Sequence, residues 1–139
     1  MEEARSLAEK AGAKRAIPLQ VGGAFHSPLM EEAKEKLKNE IAKTEICSPA
    51  IPIIANVNAD YLKNPSQIKE ALIEQIVNPV LWEDPIKKTQ DAGVSVFVEV
   101  GPGRVLSGLV RRITPQSTVL NVEDEKSLSN TLEKLKEEE

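Results

Sequence analysis

Val94-Ser95-Val96-Phe97-Val98-Glu99-Val100, followed by Gly101-Pro102-Gly103 and then Arg104-Val105-Leu106-Ser107-Gly108-Leu109, decides the fold of this chain. The first seven residues are β-branched or aromatic at all but two positions, which predicts a strand apolar on both faces. Gly-Pro-Gly breaks that strand, and the apolar spacing over Val105–Ile113 predicts a short helix. Outward toward the C-terminus, Thr118–Val122 is a second apolar strand, and Leu128, Leu132 and Leu135 mark an amphipathic helix that runs into Glu137–Glu139. Toward the N-terminus, Trp82 to Ala92 reads as a short helix with Pro85 in its first turn. Ser66 is placed to cap a helix through Ile68, Leu72, Ile73 and Ile76 that stops near Asn78-Pro79. Ile51–Val57 is a further strand-length apolar run. Leu29, Met30, Ala33, Leu37 and Ile41 form one stripe of a helix that Ser27 would cap, with Pro28 at its first position. Gly22–Pro28 is a loop, Ala16–Val21 a short edge strand bent by Pro18, and Met1–Ala13 a helix with Ala4, Leu7, Ala8 and Ala11 on one face. Strands alternating with helices, two of the strands apolar on both faces, predict an α/β fold with a parallel sheet covered by helices on both sides.

Composition narrows the function classes. The chain has 139 residues, enough for one domain whose core would bury roughly two-thirds of the unfolded surface. Its 18 Lys+Arg against 22 Asp+Glu give a net charge of −4, and its aromatics are Phe25, Tyr61, Trp82 and Phe97. It has neither the basic footprint nor the stacking platform of a nucleic-acid binder. One cysteine, Cys47, excludes an internal disulfide and a cysteine-rich zinc site. Residues 1–15 lack the apolar run of a signal peptide, and no stretch reaches membrane-span length. A cytoplasmic protein with no membrane or nucleic-acid partner is expected.

Few residues are placed to carry chemistry. His26 is the only histidine and sits between a Gly-Gly loop and a helix start. Loops present functional groups there, although composition and position alone make it an ordinary loop histidine. Gly101-Pro102-Gly103 sits where backbone N–H groups at a helix N-terminus can face a ligand, yet it matches no phosphate-loop pattern and reads more simply as a tight turn. A Cys47–His26 pair has no support from spacing. The paired carboxylates Glu31-Glu32, Glu83-Asp84 and Glu123-Asp124-Glu125 fall at helix starts or turns, where acids favour the positive end of the helix dipole. Metal-ligand spacing is absent. None of the nine serines stands in a G-x-S-x-G nucleophile elbow.

Gly23-Ala24-Phe25-His26-Ser27-Pro28-Leu29-Met30 resembles the catalytic-histidine segment of the malonyl-CoA:acyl carrier protein transacylases and of the related acyltransferase domains of fatty-acid and polyketide synthases. Ala13–Leu19 resembles the family's approach to that histidine. Gln75-Ile76-Val77-Asn78-Pro79-Val80-Leu81-Trp82 resembles its Q-x-x-N-P-V-x-W segment, and Val98–Leu109 its E-x-G-P-G-x-V-L-x-G-L segment. Four motifs in order, over nearly the whole chain, are specific. The resemblance implies ping-pong transfer of a malonyl group from malonyl-CoA, through a serine, to the phosphopantetheine thiol of acyl carrier protein, with no bound cofactor or metal. By motif position His26 would be the general base and acid, and the main-chain carbonyl of Gln75 would orient it. Phe25 would disfavour an α-methyl branch on the substrate.

The departures from the family pattern matter equally. The family's serine elbow, its carboxylate-binding arginine and its oxyanion-hole glutamine lie upstream of the histidine, and none of Arg5, Arg15, Arg104, Arg111 or Arg112 falls at the arginine's position. The chain therefore looks like the C-terminal half of the enzyme. The resemblance implies that 1–22 end a ferredoxin-like small subdomain and that 23–139 belong to a large α/β-hydrolase-like one. Alone, such a chain would be inactive and unstable, with acyl carrier protein and the missing N-terminal half as its partners. The alternative is a truncated, non-catalytic relative that binds acyl carrier protein or a partner subunit.

Overall fold

Two strands, β3 (Val96–Val100) and β4 (Thr118–Val122), form a parallel pair with Val96 opposite Thr118 and Val100 opposite Val122. A computed structural model describes residues 2–18 and 22–137. Parallel strands cannot be joined by a tight turn, and α5 (Val105–Ile113) makes the crossover. Its buried Val110 meets Val119 of β4 and Ile86 of α4 (Glu83–Asp91), with Trp82, Phe97 and Ile113 packed around them. The last helix, α6 (Glu125–Glu137), lies against β4, where Thr131 Oγ1 donates to Asn121 O at 3.0 Å. These elements fall where the apolar spacing put them.

The two faces of the sheet are covered unequally. Phe97 turns toward α4 and α5, whereas Val98 and Val100 on the opposite face are 40% and 80% exposed. The expected two-sided cover is incomplete at Val98 and Val100 within the described residues. Gly101 (φ 138°) and Gly103 (φ 85°) adopt backbone that a Cβ disfavours, and Gly101 N still donates to Val122 O at 2.9 Å before the chain turns into α5.

The middle of the chain has an apolar cluster of its own. Of the apolar run 51–57, only β1 (Ile53–Ile54) pairs, and it does so antiparallel with β2 (Tyr61–Leu62). This corrects the expected strand of a parallel sheet. Pro49 and Pro52 withhold ladder donors, and Ile51 and Ile53 are exposed. Ala55, Leu62 and Ala71 form a small core there with Val57 and Ile68. Ala71 belongs to α3 (Pro65–Gln75), against which α2 (Glu31–Lys43) packs. Asn64, not Ser66, caps α3. Its Oδ1 accepts from Gln67 N at 3.0 Å, with Pro65 at the first helical position, and Gln67 Oε1 reaches back one residue past the cap to accept from Lys63 N at 2.7 Å. Ser27 likewise makes no cap bond. A short 3-10 turn, Pro28–Met30, precedes α2 instead.

At the N-terminus, α1 (Glu2–Lys10) buries no residue, and Leu7 on its apolar stripe is 59% exposed. The edge strand expected over 16–21 lies partly outside the described residues, and 16–18 are not in a strand. The accessible surface is 10344 Å² for a 15.2 kDa chain. A compact monomer of that mass exposes about 7,100 Å². Among the described residues two small apolar clusters stand where a single core was expected from length. Among the described residues no helix is long and apolar enough to cross a membrane.

Candidate active site

His26 is held from two directions by the end of α3. Its backbone N–H donates to Ile76 O at 3.0 Å, and its Nδ1 lies 2.7 Å from Gln75 O. A carbonyl oxygen only accepts, so Nδ1 carries the hydrogen, which in the neutral ring leaves the lone pair on Nε2; the residue is exposed. The Gln75 side-chain nitrogen stands 3.5 Å from Nδ1, too far to compete, and 3.4 Å from Asn78 O. Gln75 and Ile76 sit where the last carbonyls of a helix lack intrahelical partners and carry partial negative charge. His26 has φ 60°, a left-handed conformation that costs a residue with a Cβ about 1–2 kcal/mol. The two bonds to α3 offset that strain. The loop closes locally, with Ser27 Oγ donating to Ala24 O at 2.6 Å and Met30 N to Ser27 O at 3.0 Å.

Phe25 is 59% exposed beside the histidine. Its ring lies over Gly23, where an added Cβ would sit 3.1 Å from Phe25 Cε2. The structure thus brings His26, Phe25 and the Gln75 carbonyl into one corner, across 49 residues for the hydrogen-bonded pair. Cys47 is exposed and takes no part in the hydrogen bonds around His26.

The other sequence candidates have structural partners. The N-terminus of α5 is already occupied by the chain's own carboxylate. Glu99 Oε1 accepts from Leu106 N at 3.1 Å, and Oε2 from Ser107 N at 2.8 Å and Ser107 Oγ at 2.6 Å. Gly103 N donates to Glu123 Oε2 at 2.9 Å. The Gly-Pro-Gly segment is a tight turn with its donors engaged. The Ser107 hydroxyl, then the Ser107 and Leu106 amides, hold the Glu99 carboxyl below its ordinary value. Asp124 caps α6 in the same manner, its carboxyl lowered by the hydroxyl and then the amide of Ser127. Glu31-Glu32 and Glu83-Asp84 lie in the first turns of α2 and α4. Among the described residues no group of His, Cys, Asp and Glu is arranged to hold a metal.

From sequence, Asn78 reads only as a helix stop and a motif residue, and Glu74 has no role. Glu74 accepts from Lys34 Nζ of α2 at 2.8 Å and from Asn78 Nδ2 at 3.2 Å, and the Lys34 ammonium foremost keeps its carboxyl below the ordinary value. Asn78 Nδ2 also donates to Glu74 O at 2.8 Å. The one local signal was the i,i+4 spacing of Glu74 and Asn78 at a helix end.

No family model matches the chain. Similar proteins do. The chain is 45% identical over 138 residues to the malonyl CoA-acyl carrier protein transacylase of Bacillus subtilis (strain 168), spanning 99% of this chain and 44% of that protein. Against the enzyme of the same name from Escherichia coli (strain K12) the identity is 37%, over 96% of this chain and 43% of the relative. The crystal structure of a malonyl CoA-acyl carrier protein transacylase from Clostridium perfringens superposes with a TM-score of 0.90 at 40% identity, covering 98% of this chain and 43% of that one. A complex described as a type II PKS acyl-carrier protein with its malonyl-transacylase gives a TM-score of 0.90 at 37% identity, over 96% and 43%. The chain spans less than half the length of these relatives, matching their C-terminal part.

Proposed function

We infer that this chain, which matches the C-terminal part of malonyl CoA-acyl carrier protein transacylases, supplies the histidine half of an acyl-transfer site. The reaction would move a malonyl group from malonyl-CoA to the phosphopantetheine thiol of acyl carrier protein. The observation that carries this reading is the 2.7 Å contact between His26 Nδ1 and Gln75 O. It selects the tautomer whose Nε2 can take a proton.

A serine hydroxyl is a poor nucleophile until a neighbour accepts its proton. Such a serine would come from the part of the enzyme upstream of this chain. Nε2 of His26 takes its proton as the oxygen attacks the thioester carbon. The carbon–sulfur bond then breaks, and the CoA thiol leaves with the proton that Nε2 returns. In the second half, Nε2 takes the proton of the carrier thiol as its sulfur attacks the malonyl-serine ester, and hands it back to the serine oxygen. Gln75 O steadies the imidazolium formed in each half, as a carboxylate does in a Ser-His-Asp triad. No bound cofactor is needed, because the thioester is itself the activated acyl donor. The family resemblance assigns 1–22 to the end of a ferredoxin-like subdomain and 23–139 to an α/β-hydrolase-like one in a cytoplasmic enzyme. The exposed Val98 and Val100, the unburied α1 and the excess of exposed surface support an upstream half as the structural partner. Acyl carrier protein is the second partner. The isolated chain should not transfer malonyl groups and should self-associate or melt broadly.

His26→Ala in the complete enzyme is expected to lower the malonyl transfer rate by about 10²- to 10⁴-fold. A rate near the unmutated one would overturn the assignment. Phe25→Ala should raise the preference for methylmalonyl- over malonyl-CoA by about tenfold, the scale of one methyl group in a pocket. An unchanged ratio of kcat/KM values would remove Phe25 from selectivity.

A further inference from the structure

The end of α3 poses a question of hydrogen-bond accounting. In a helix, the carbonyl of residue 75 receives the N–H of residue 79 if the helix continues. Residue 79 is Pro79, which has no N–H, and proline also disfavours helical backbone at Asn78 before it. The neighbouring donors are drawn elsewhere. Glu74 O lies within reach of Val77 N at 3.3 Å, Asn78 N at 3.2 Å and Asn78 Nδ2 at 2.8 Å. Beyond Pro79 the chain is pulled off the helix axis, with Leu81 N donating to Asn56 O at 2.8 Å. The second hand of Asn78 Nδ2, on Glu74 Oε2 at 3.2 Å, joins an ion pair to Lys34 on α2, the helix that begins just after the His26 loop.

We propose that Asn78 and Pro79 are positioning residues for His26: Pro79 withholds the N–H that would claim Gln75 O, and Asn78 gathers the remaining donors of the turn onto Glu74, leaving the Gln75 and Ile76 carbonyls open to the imidazole and the backbone of His26. The proposal rests on the reading of His26 as the base. It adds a reason for the Asn-Pro pair three and four residues after Gln75. Neither residue touches substrate. Their effect passes through the tautomer and orientation of His26.

The test uses the complete enzyme, this chain joined to its upstream half, with Pro79→Ala, Asn78→Ala and His26→Gln variants. Imidazole ¹⁵N shifts, with the His26 resonance identified by its loss in His26→Gln, report the tautomer without relying on activity. The unmutated enzyme should hold His26 as the Nδ1–H form. Pro79→Ala should populate the Nε2–H form and lower kcat about tenfold with the KM for malonyl-CoA unchanged. Asn78→Ala should move both readouts the same way by less, and it serves if Pro79→Ala does not fold. An unmutated enzyme in the Nε2–H form would overturn the proposal. So would variants whose tautomer is unchanged, or whose kcat and KM fall together. If His26→Gln keeps full activity, the base reading fails on its own, while the tautomer shifts still decide whether Asn78 and Pro79 position the ring.

Discussion

The C-terminus of α3 and the N-terminus of α5 present the same problem, a helix end with unpaired backbone groups, and the chain solves it in two ways. At α5 the partner is local: Glu99, seven and eight residues upstream of the amides it binds, takes both of them and the hydroxyl of the buried Ser107. At α3 the partner is remote. Gln75 and Ile76 offer their carbonyls to a residue 49 and 50 positions away, which remains exposed with a ring nitrogen unused. A helix end saturated by its own neighbours builds the fold. A helix end left open can receive a side chain from another segment, as α3 receives His26.

That contrast is open to direct attack, with stability measured in the complete enzyme. The largest effect is expected from Glu99→Ala, which strips two amides and the Ser107 hydroxyl of their acceptor. Tm should fall by about 5 °C, and the His26 tautomer should stay as it was. A change of tautomer would mean that the two helix ends are coupled. Next comes acid. Glu99 and Asp124 hold carboxyls lower in the folded chain than the ordinary 4.5 and 3.8. Their stabilisation is therefore whole above those values and is lost as pH falls through the lower folded ones. Melting temperatures should hold steady from neutral pH to about 5 and drop below about 4, and Glu99→Gln should flatten that drop. An acid limb unchanged in Glu99→Gln would remove Glu99 from it. The smallest effect belongs to Gly103→Ala. Open space surrounds the added Cβ, and the N–H to Glu123 survives, so only the φ of 85° is at stake. The expected loss is about 1 kcal/mol in a denaturant titration, and a neutral result would show that the turn relaxes.

Much of the local structure was legible. The bounds of α5 and β4 and the presence of α4 and α6 follow from apolar spacing, and the acids at helix starts follow from the helix dipole. The mistakes have local causes too. Ser66 and Ser27 looked like caps because serine is a good one, but Asn64 stands directly before Pro65, and the 3-10 turn at Pro28 leaves Ser27 bonded back to Ala24. The run at 51–57 has strand composition, yet its prolines and exposed isoleucines permit only two paired residues. His26, Phe25 and Gln75 were found through a family resemblance rather than through any physical signal in the residues. Composition alone left His26 an ordinary loop histidine.

The sequence by itself determined what depends on neighbours a few residues apart: which segments are helical, where glycine must turn the chain, and that no serine elbow stands upstream of His26 within this chain. Pro79, four residues after Gln75, was there to be read from the start. Its meaning was not, because a missing N–H has no consequence until something else claims the carbonyl. Only the tertiary structure decided which group that would be, along with the parallel pairing of β3 with β4 and the exposure of Val98 and Val100. Local rules act through hydrogen bonds that the chain reaches within a turn. The contact at His26 requires α3 and the loop to be packed together first, and no spacing along the chain records that.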